Sequence, residues 1–193
     1  MPLHYAVLLG SVRRDRMGLR AARMIVSALV ARGHQATLVD PLELRLPLLD
    51  RMYKEYPPGE APHDLARLAE LYRGVDGFVM VSAEYNNGIP PALKNLLDHF
   101  LEEYFFRPSA ILCYSAGQYG GVRAAMQLRM TLAELGMPSI PSLLPIAKIG
   151  QALDENGVPA DPRTERATTR FLDEFDWYAR ALKRERDLSG TPY

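Results

Sequence analysis

Three short segments combine residue types that serve ligand chemistry better than they serve folding. The first is GSVRRDRMG, Gly10 to Gly18. An apolar run ends there in Gly-Ser and gives way to helical spacing from Leu19, so backbone N–H groups point outward at the positive end of a helix. Ser11 adds a hydroxyl, and Arg13, Arg14 and Arg16 add charge. The arrangement suits a phosphate; it equally describes a solvated basic turn. No Gly-Lys-Ser/Thr follows and the pattern is not GxGxxG, which removes the main support for a nucleoside triphosphate loop or a dinucleotide fingerprint.

The second segment is SAEYNNGIPPALKN, Ser82 to Asn95. A tyrosine between Glu84, two asparagines and a glycine is not explained by burial, and turn residues keep the backbone free to bond a flat polar ring. A plain turn before a helix is the alternative. The third is YSAGQYGGVRAA, Tyr114 to Ala125, whose glycines let the main chain approach something planar. A serine esterase is excluded: Cys113 stands where the nucleophile elbow needs glycine, and no histidine follows His99 to complete a Ser, Asp, His order. No catalytic side chain is assigned. The four histidines fall on separate elements without ligand spacing, so no metal site is expected.

The elements that must position these segments alternate along the chain. Apolar runs predict strands over His4–Gly10, Gln35–Asp40, Gly77–Ser82, Ala110–Ala116 and Ile140–Ile149. Helical spacing predicts helices over Leu19–Arg32, His63–Arg73, Pro91–Phe106, Gly121–Leu135 and Arg163–Arg186. Continuous apolar strands alternating with helices mark a parallel sheet covered on both faces. The expected fold is doubly wound α/β, one domain over residues 1–193, with five strands in the order 2-1-3-4-5. In such a sheet, ligands sit outside the carboxyl ends of the strands, and all three segments follow strands at that edge. A phosphate loop, a loop for a flat polar ring and a glycine-rich loop together describe a mononucleotide with a large ring, and FMN fits best.

The remaining chain is read more plainly. Basic and acidic residues balance at 23 each, which gives no field for nucleic acid or an anionic membrane. No apolar run reaches the ~18 residues of a bilayer span, and the first strand leaves no room for a signal peptide, so a cytoplasmic protein is expected. The single cysteine, Cys113, reads as core. Glu102 and Glu103 read as a solvated surface pair. HFLEEYFF, His99 to Phe106, is core first, with a dimer surface as the alternative. The stretch Pro41 to Pro62 is a binding or oligomer-forming loop, or slack chain.

With GSVR (Gly10–Arg13), EYN (Glu84–Asn86) with ALKNLLD (Ala92–Asp98), and SAGQYGG (Ser115–Gly121) in this order, the sequence resembles the NADPH-dependent FMN reductases of flavodoxin-like fold, which include quinone, chromate and azo-dye reductases. LVDPLELRLPLLD, Leu38 to Asp50, and the last helix extend the likeness over nearly the whole chain. The resemblance implies that Ser11, Arg13 and the backbone near Met17 and Gly18 hold the FMN phosphate, with Arg16 in the same loop. It implies that Glu84, Tyr85, Asn86 and Asn87 line the isoalloxazine, and that Ser115, Gly117, Gln118, Gly120 and Gly121 close the other side. Arg16 and Ala83 depart from the family, which often carries serine and proline at these positions. The activity implied is hydride transfer from NADPH or NADH to bound FMN, then two electrons to a small-molecule acceptor such as a quinone, azo dye, metal oxyanion or free flavin, in a homodimer or homotetramer. A flavin-binding electron carrier or redox sensor without turnover is the alternative.

Overall fold

A computed structural model describes residues 1–44 and 46–193; Arg45, inside the Pro41–Pro62 stretch, lies outside the described residues. Five strands, β1 (His4–Leu9), β2 (Gln35–Val39), β3 (Gly77–Ala83), β4 (Ser109–Tyr114) and β5 (Ser139–Ile146), form one sheet in the order β2-β1-β3-β4-β5. Every pairing is parallel, with Leu8 opposite both Val39 and Met80, and Val81 opposite Leu112. Among the described residues the six α-helices are α1 (Gly18–Ala31), α2 (His63–Gly74), α3 (Pro91–Asp98), α4 (Val122–Glu134), α5 (Ile149–Ala152) and α6 (Pro162–Ser189). This is the flavodoxin-like arrangement expected from the apolar runs.

Alternation along the strands builds two cores. Tyr5, Val7 and Leu9 of β1 face α1 and α6, where they meet Ile25, Leu29, Phe171 and Phe175. Ala6 and Leu8 face the other way, toward Leu65 and Tyr72 of α2, Leu93 and Leu97 of α3 and Leu128 of α4. Both faces are therefore dry, and the free backbone and polar chemistry are left to the loops at the strand ends.

Three local readings change. The apolar spacing predicts one helix over Pro91–Phe106, but α3 stops at Asp98 and a separate 3-10 turn covers Glu102–Tyr104. The break turns Phe100 and Tyr104 inward onto Tyr72, at ring separations of 5.0 and 5.3 Å, which bears out the core reading for these two rings, while Phe105 and Phe106 stay half-buried. It also buries Glu103, which is not a surface residue: its carboxylate takes Arg73 Nη2 at 2.7 Å. Strand β5 ends at Ile146, because Lys148 turns left-handed (φ +47°) and opens α5. The 41–62 stretch is docked where it is described: Asn95 Nδ2 donates to the Pro47 carbonyl at 2.8 Å, Leu49 N to Asn95 Oδ1 at 2.9 Å and Tyr53 N to the His99 carbonyl at 2.8 Å.

Candidate active site

The segments following β1, β3 and β4 meet at the carboxyl edge of the sheet around a cavity of about 280 Å³. Ser11, Arg13, Arg16 and Met17 line one side, Glu84 and Tyr85 another, and Tyr114, Ser115 and Ile149 the floor and far wall. A larger depression of about 420 Å³ lies between the second half of α1, residues 156–159 and α6. None of the three segments contributes to it, so the smaller cavity is the candidate site.

The Gly10–Gly18 loop is built for an anion. No side chain caps α1 and its first turn holds no acidic residue, so its leading N–H groups stay available. Ser11 is nearly buried, with Oγ 2.9 Å from the Tyr85 hydroxyl. The three arginines separate into three roles. Arg13 lines the cavity and is exposed; its backbone N–H meets Ser11 Oγ at 3.5 Å, while its guanidinium engages no partner among the described residues. Arg14 is also exposed and unpaired there, but is not part of the cavity wall. Arg16 reaches the wall with its guanidinium already committed: Nη1 donates to Asp40 Oδ1 at 2.6 Å and to the Ser11 carbonyl at 2.9 Å, and Nη2 pairs with Asp40 Oδ2. It shapes the loop rather than standing free for a ligand.

The second loop is a two-residue turn. Tyr85 N and Gly88 O bond at 3.1 Å, Gly88 N and Tyr85 O at 2.9 Å, and both central residues, Asn86 and Asn87, have positive φ of 50° and 64°. Asparagine tolerates that conformation better than most residues, which explains the Asn-Asn pair. The turn aims the Tyr85 hydroxyl at Ser11. Glu84 lines the cavity, yet both its oxygens are occupied: Oε2 accepts from Arg123 N at 2.9 Å and Ala124 N at 3.2 Å, and Oε1 from Arg123 Nη1 at 3.2 Å. The carboxylate thus caps α4 from outside, since the N-cap position, Gly121, has no side chain.

The third loop is tied by Ser115, whose Oγ donates to the Gly117 carbonyl and accepts from Gly120 N, both at 3.0 Å. Gly121 (φ +79°) is required twice over, because an added Cβ would sit 2.7 Å from the Tyr114 carbonyl oxygen. Gly117 meets no such constraint; its missing side chain leaves the backbone open to a neighbour. Gln118 is exposed and lies outside the cavity wall. Sequence reasoning did not name Tyr114, Ile149 or Asp40 as site residues: Tyr114 falls inside the strand expected over Ala110–Ala116 as well as opening the third segment, Ile149 closes an expected strand, and Asp40 ends another, 24 residues from its partner. Cys113 is fully buried, and burial pushes its thiol up to about 12, which leaves it inert.

Residues 3–151 match the family model of the NADPH-dependent FMN reductases. The chain belongs to that family. An NAD(P)H-dependent FMN reductase of Schizosaccharomyces pombe is 42% identical over 89 residues, 44% of each chain. A quinone reductase of Pseudomonas putida is 30% identical over 179 residues, spanning 88% of this chain and 91% of the relative. Among solved structures, the flavoenzyme NAD(P)H:(acceptor) oxidoreductase FerB of Paracoccus denitrificans superposes with a TM-score of 0.73 at 20% identity, over 92% of this chain and 98% of that one, which supports the fold. This family member is an NAD(P)H-dependent oxidoreductase that works with FMN.

Proposed function

We propose that the cavity holds FMN with its phosphate in the Gly10–Gly18 loop and its ring between the Tyr85 turn and the Ser115–Gly121 loop, and that the acceptor is a quinone or a similarly flat two-electron oxidant. The observation that carries this reading is one cavity shared by an uncapped helix N-terminus with a free arginine and by two loops with open backbone. The fit is chemical: Arg13 and the α1 amides match a phosphate dianion, and the hydrogen-bonded Ser11 and Tyr85 hydroxyls leave one O–H to add as a donor. When bound, FMN supplies the redox chemistry, accepting hydride and delivering two electrons.

The protein's own groups orient and enclose. The Arg16–Asp40 pair holds the anion loop in shape, Glu84 fixes the start of α4, and the Asn86-Asn87 turn sets Tyr85. Exposed Val12, Met17 and Tyr119 flank the loops and give a flat apolar substrate a surface to lie on. A quinone acceptor is also what the P. putida relative's name indicates for that enzyme.

If nicotinamide and acceptor take turns on one open face, initial-rate plots with NADPH and benzoquinone form parallel lines, as in ping-pong turnover. Intersecting lines would mean two simultaneous sites. A flavin that stays oxidised for minutes after anaerobic mixing with NADPH and NADH would identify a carrier instead.

A further inference from the structure

Tyr114, the last residue of β4, is held at both ends by glycines. Its backbone lies against Gly121, where an added Cβ would come within 2.7 Å of the Tyr114 oxygen and 2.9 Å of its nitrogen. Its phenol lies against Gly18, the first residue of α1, where an added Cβ would sit 2.2 Å from the hydroxyl oxygen and 2.8 Å from Cζ. The hydroxyl therefore stands in the space that any larger residue at the opening of α1 would fill. Glycine is a poor helix former, so its presence there is explained by the phenol it admits. The ring is buried among the residues facing α1, while the residue lines the same cavity as Ser11, Arg13 and Met17.

We propose that Tyr114 is a specificity-determining residue, whose hydroxyl donates to the anion held by the Gly10–Gly18 loop and so selects a flavin bearing a terminal phosphate monoester over the unphosphorylated flavin. The proposal rests on reading that loop as the phosphate site. Two further observations support it. Burial pushes the phenol up to about 12, against the opposing pull of Ser11, Arg16 and Arg13, so the group remains protonated and a donor through the neutral and mildly alkaline range. The hydroxyls of Ser11 and Tyr85, hydrogen-bonded to each other at 2.9 Å, spend one proton within the pair and leave the other O–H for the same end of the cavity, a further donor suited to an acceptor-only ligand.

The test removes one oxygen. Apo-protein carrying Tyr114→Phe is titrated with FMN and with riboflavin, following quenching of flavin fluorescence, beside the wild-type protein. The expected result is a ten- to hundredfold (roughly) loss of FMN affinity, with riboflavin affinity unchanged within about twofold. Unchanged FMN affinity, or equal losses for both flavins, would overturn the role of the hydroxyl. Equal affinity of the wild-type protein for the two flavins would instead remove the phosphate-loop reading, and this proposal with it.

Discussion

Arg16 and Asp40 form a two-pronged ion pair that ties the anion loop to the chain leaving β2. Nη1 meets Oδ1 at 2.6 Å and Nη2 meets Oδ2, with side-chain exposures of only 11% and 6%, and Asp40 Oδ1 also accepts from Leu42 N at 2.9 Å. One arginine of the three is thereby withdrawn from the ligand and given to the loop. Removing it strands a buried carboxylate, so Arg16→Ala should cost about 3 to 5 kcal/mol of stability. Replacing both partners, as in Arg16→Met with Asp40→Leu, should recover most of that loss. Denaturant unfolding of the apo-proteins checks both, and an Arg16→Ala variant as stable as the parent would show that the pair contributes nothing.

Arg13 and Arg14 are neighbours with different expected effects. The Arg13 guanidinium, on the cavity wall, has no partner among the described residues, so a charge-assisted bond to the FMN phosphate should be worth about 1.5 to 3 kcal/mol, and Arg13→Ala should weaken FMN binding roughly ten- to a hundredfold. Arg14 stands outside the wall and its alanine variant should bind FMN almost normally. FMN titration of the two apo-variants decides the matter; a larger loss for Arg14→Ala would reverse the assignment.

The strands, the sheet order and the three loops were legible because apolar runs, glycines and turn residues act locally. What escaped was decided by partners far apart in the chain. Nothing near Arg16 announces Asp40, and nothing near Glu103 announces Arg73, 30 residues away, so a charge that looks solvated turns out buried. Helical spacing likewise could not show that Phe100 and Tyr104 would both turn onto Tyr72 and break the helix between them. Tyr114 illustrates the opposite case: its role is written at Gly18, a position that looks like an ordinary loop glycine until the phenol beside it is seen.

His4 gives the fold a pH dependence of definite sign. Burial holds its imidazole below the usual 6.5, with Asp76 pulling the other way, and its Nε2 lies 2.8 Å from Thr37 Oγ1. The folded state therefore disfavours the protonated ring relative to the unfolded chain. This contribution is at its most favourable above pH 6.5, and stability is lost as the pH falls through 6.5 and then through the lower folded value. The drop in melting temperature between about pH 7.5 and pH 5 should accordingly be smaller for His4→Gln than for the parent. Identical slopes would show that His4 does not contribute.

Glu84 should prove a brace more than a contact to the flavin ring. It accepts from the Arg123 and Ala124 N–H groups in the first turn of α4, beside the helix's positive end, and pairs with Arg123, whose guanidinium also lies 4.4 Å from the centre of the Tyr119 ring. Because Gly121 at the N-cap offers no side chain, nothing in the local sequence replaces this cap. Glu84→Ala should then cost about 0.5 to 2 kcal/mol of apo-protein stability, in line with loss of a helix N-cap. Part of the loss should persist at high salt, because hydrogen bonds to the Arg123 and Ala124 amides are screened less than an exposed ion pair. FMN affinity should fall by no more than about threefold, through loosening of the neighbouring Tyr85 turn. Chemical unfolding of the apo-protein, set beside an FMN titration of the same variant, separates the two roles. A variant that keeps its stability and loses FMN would place the carboxylate on the ring.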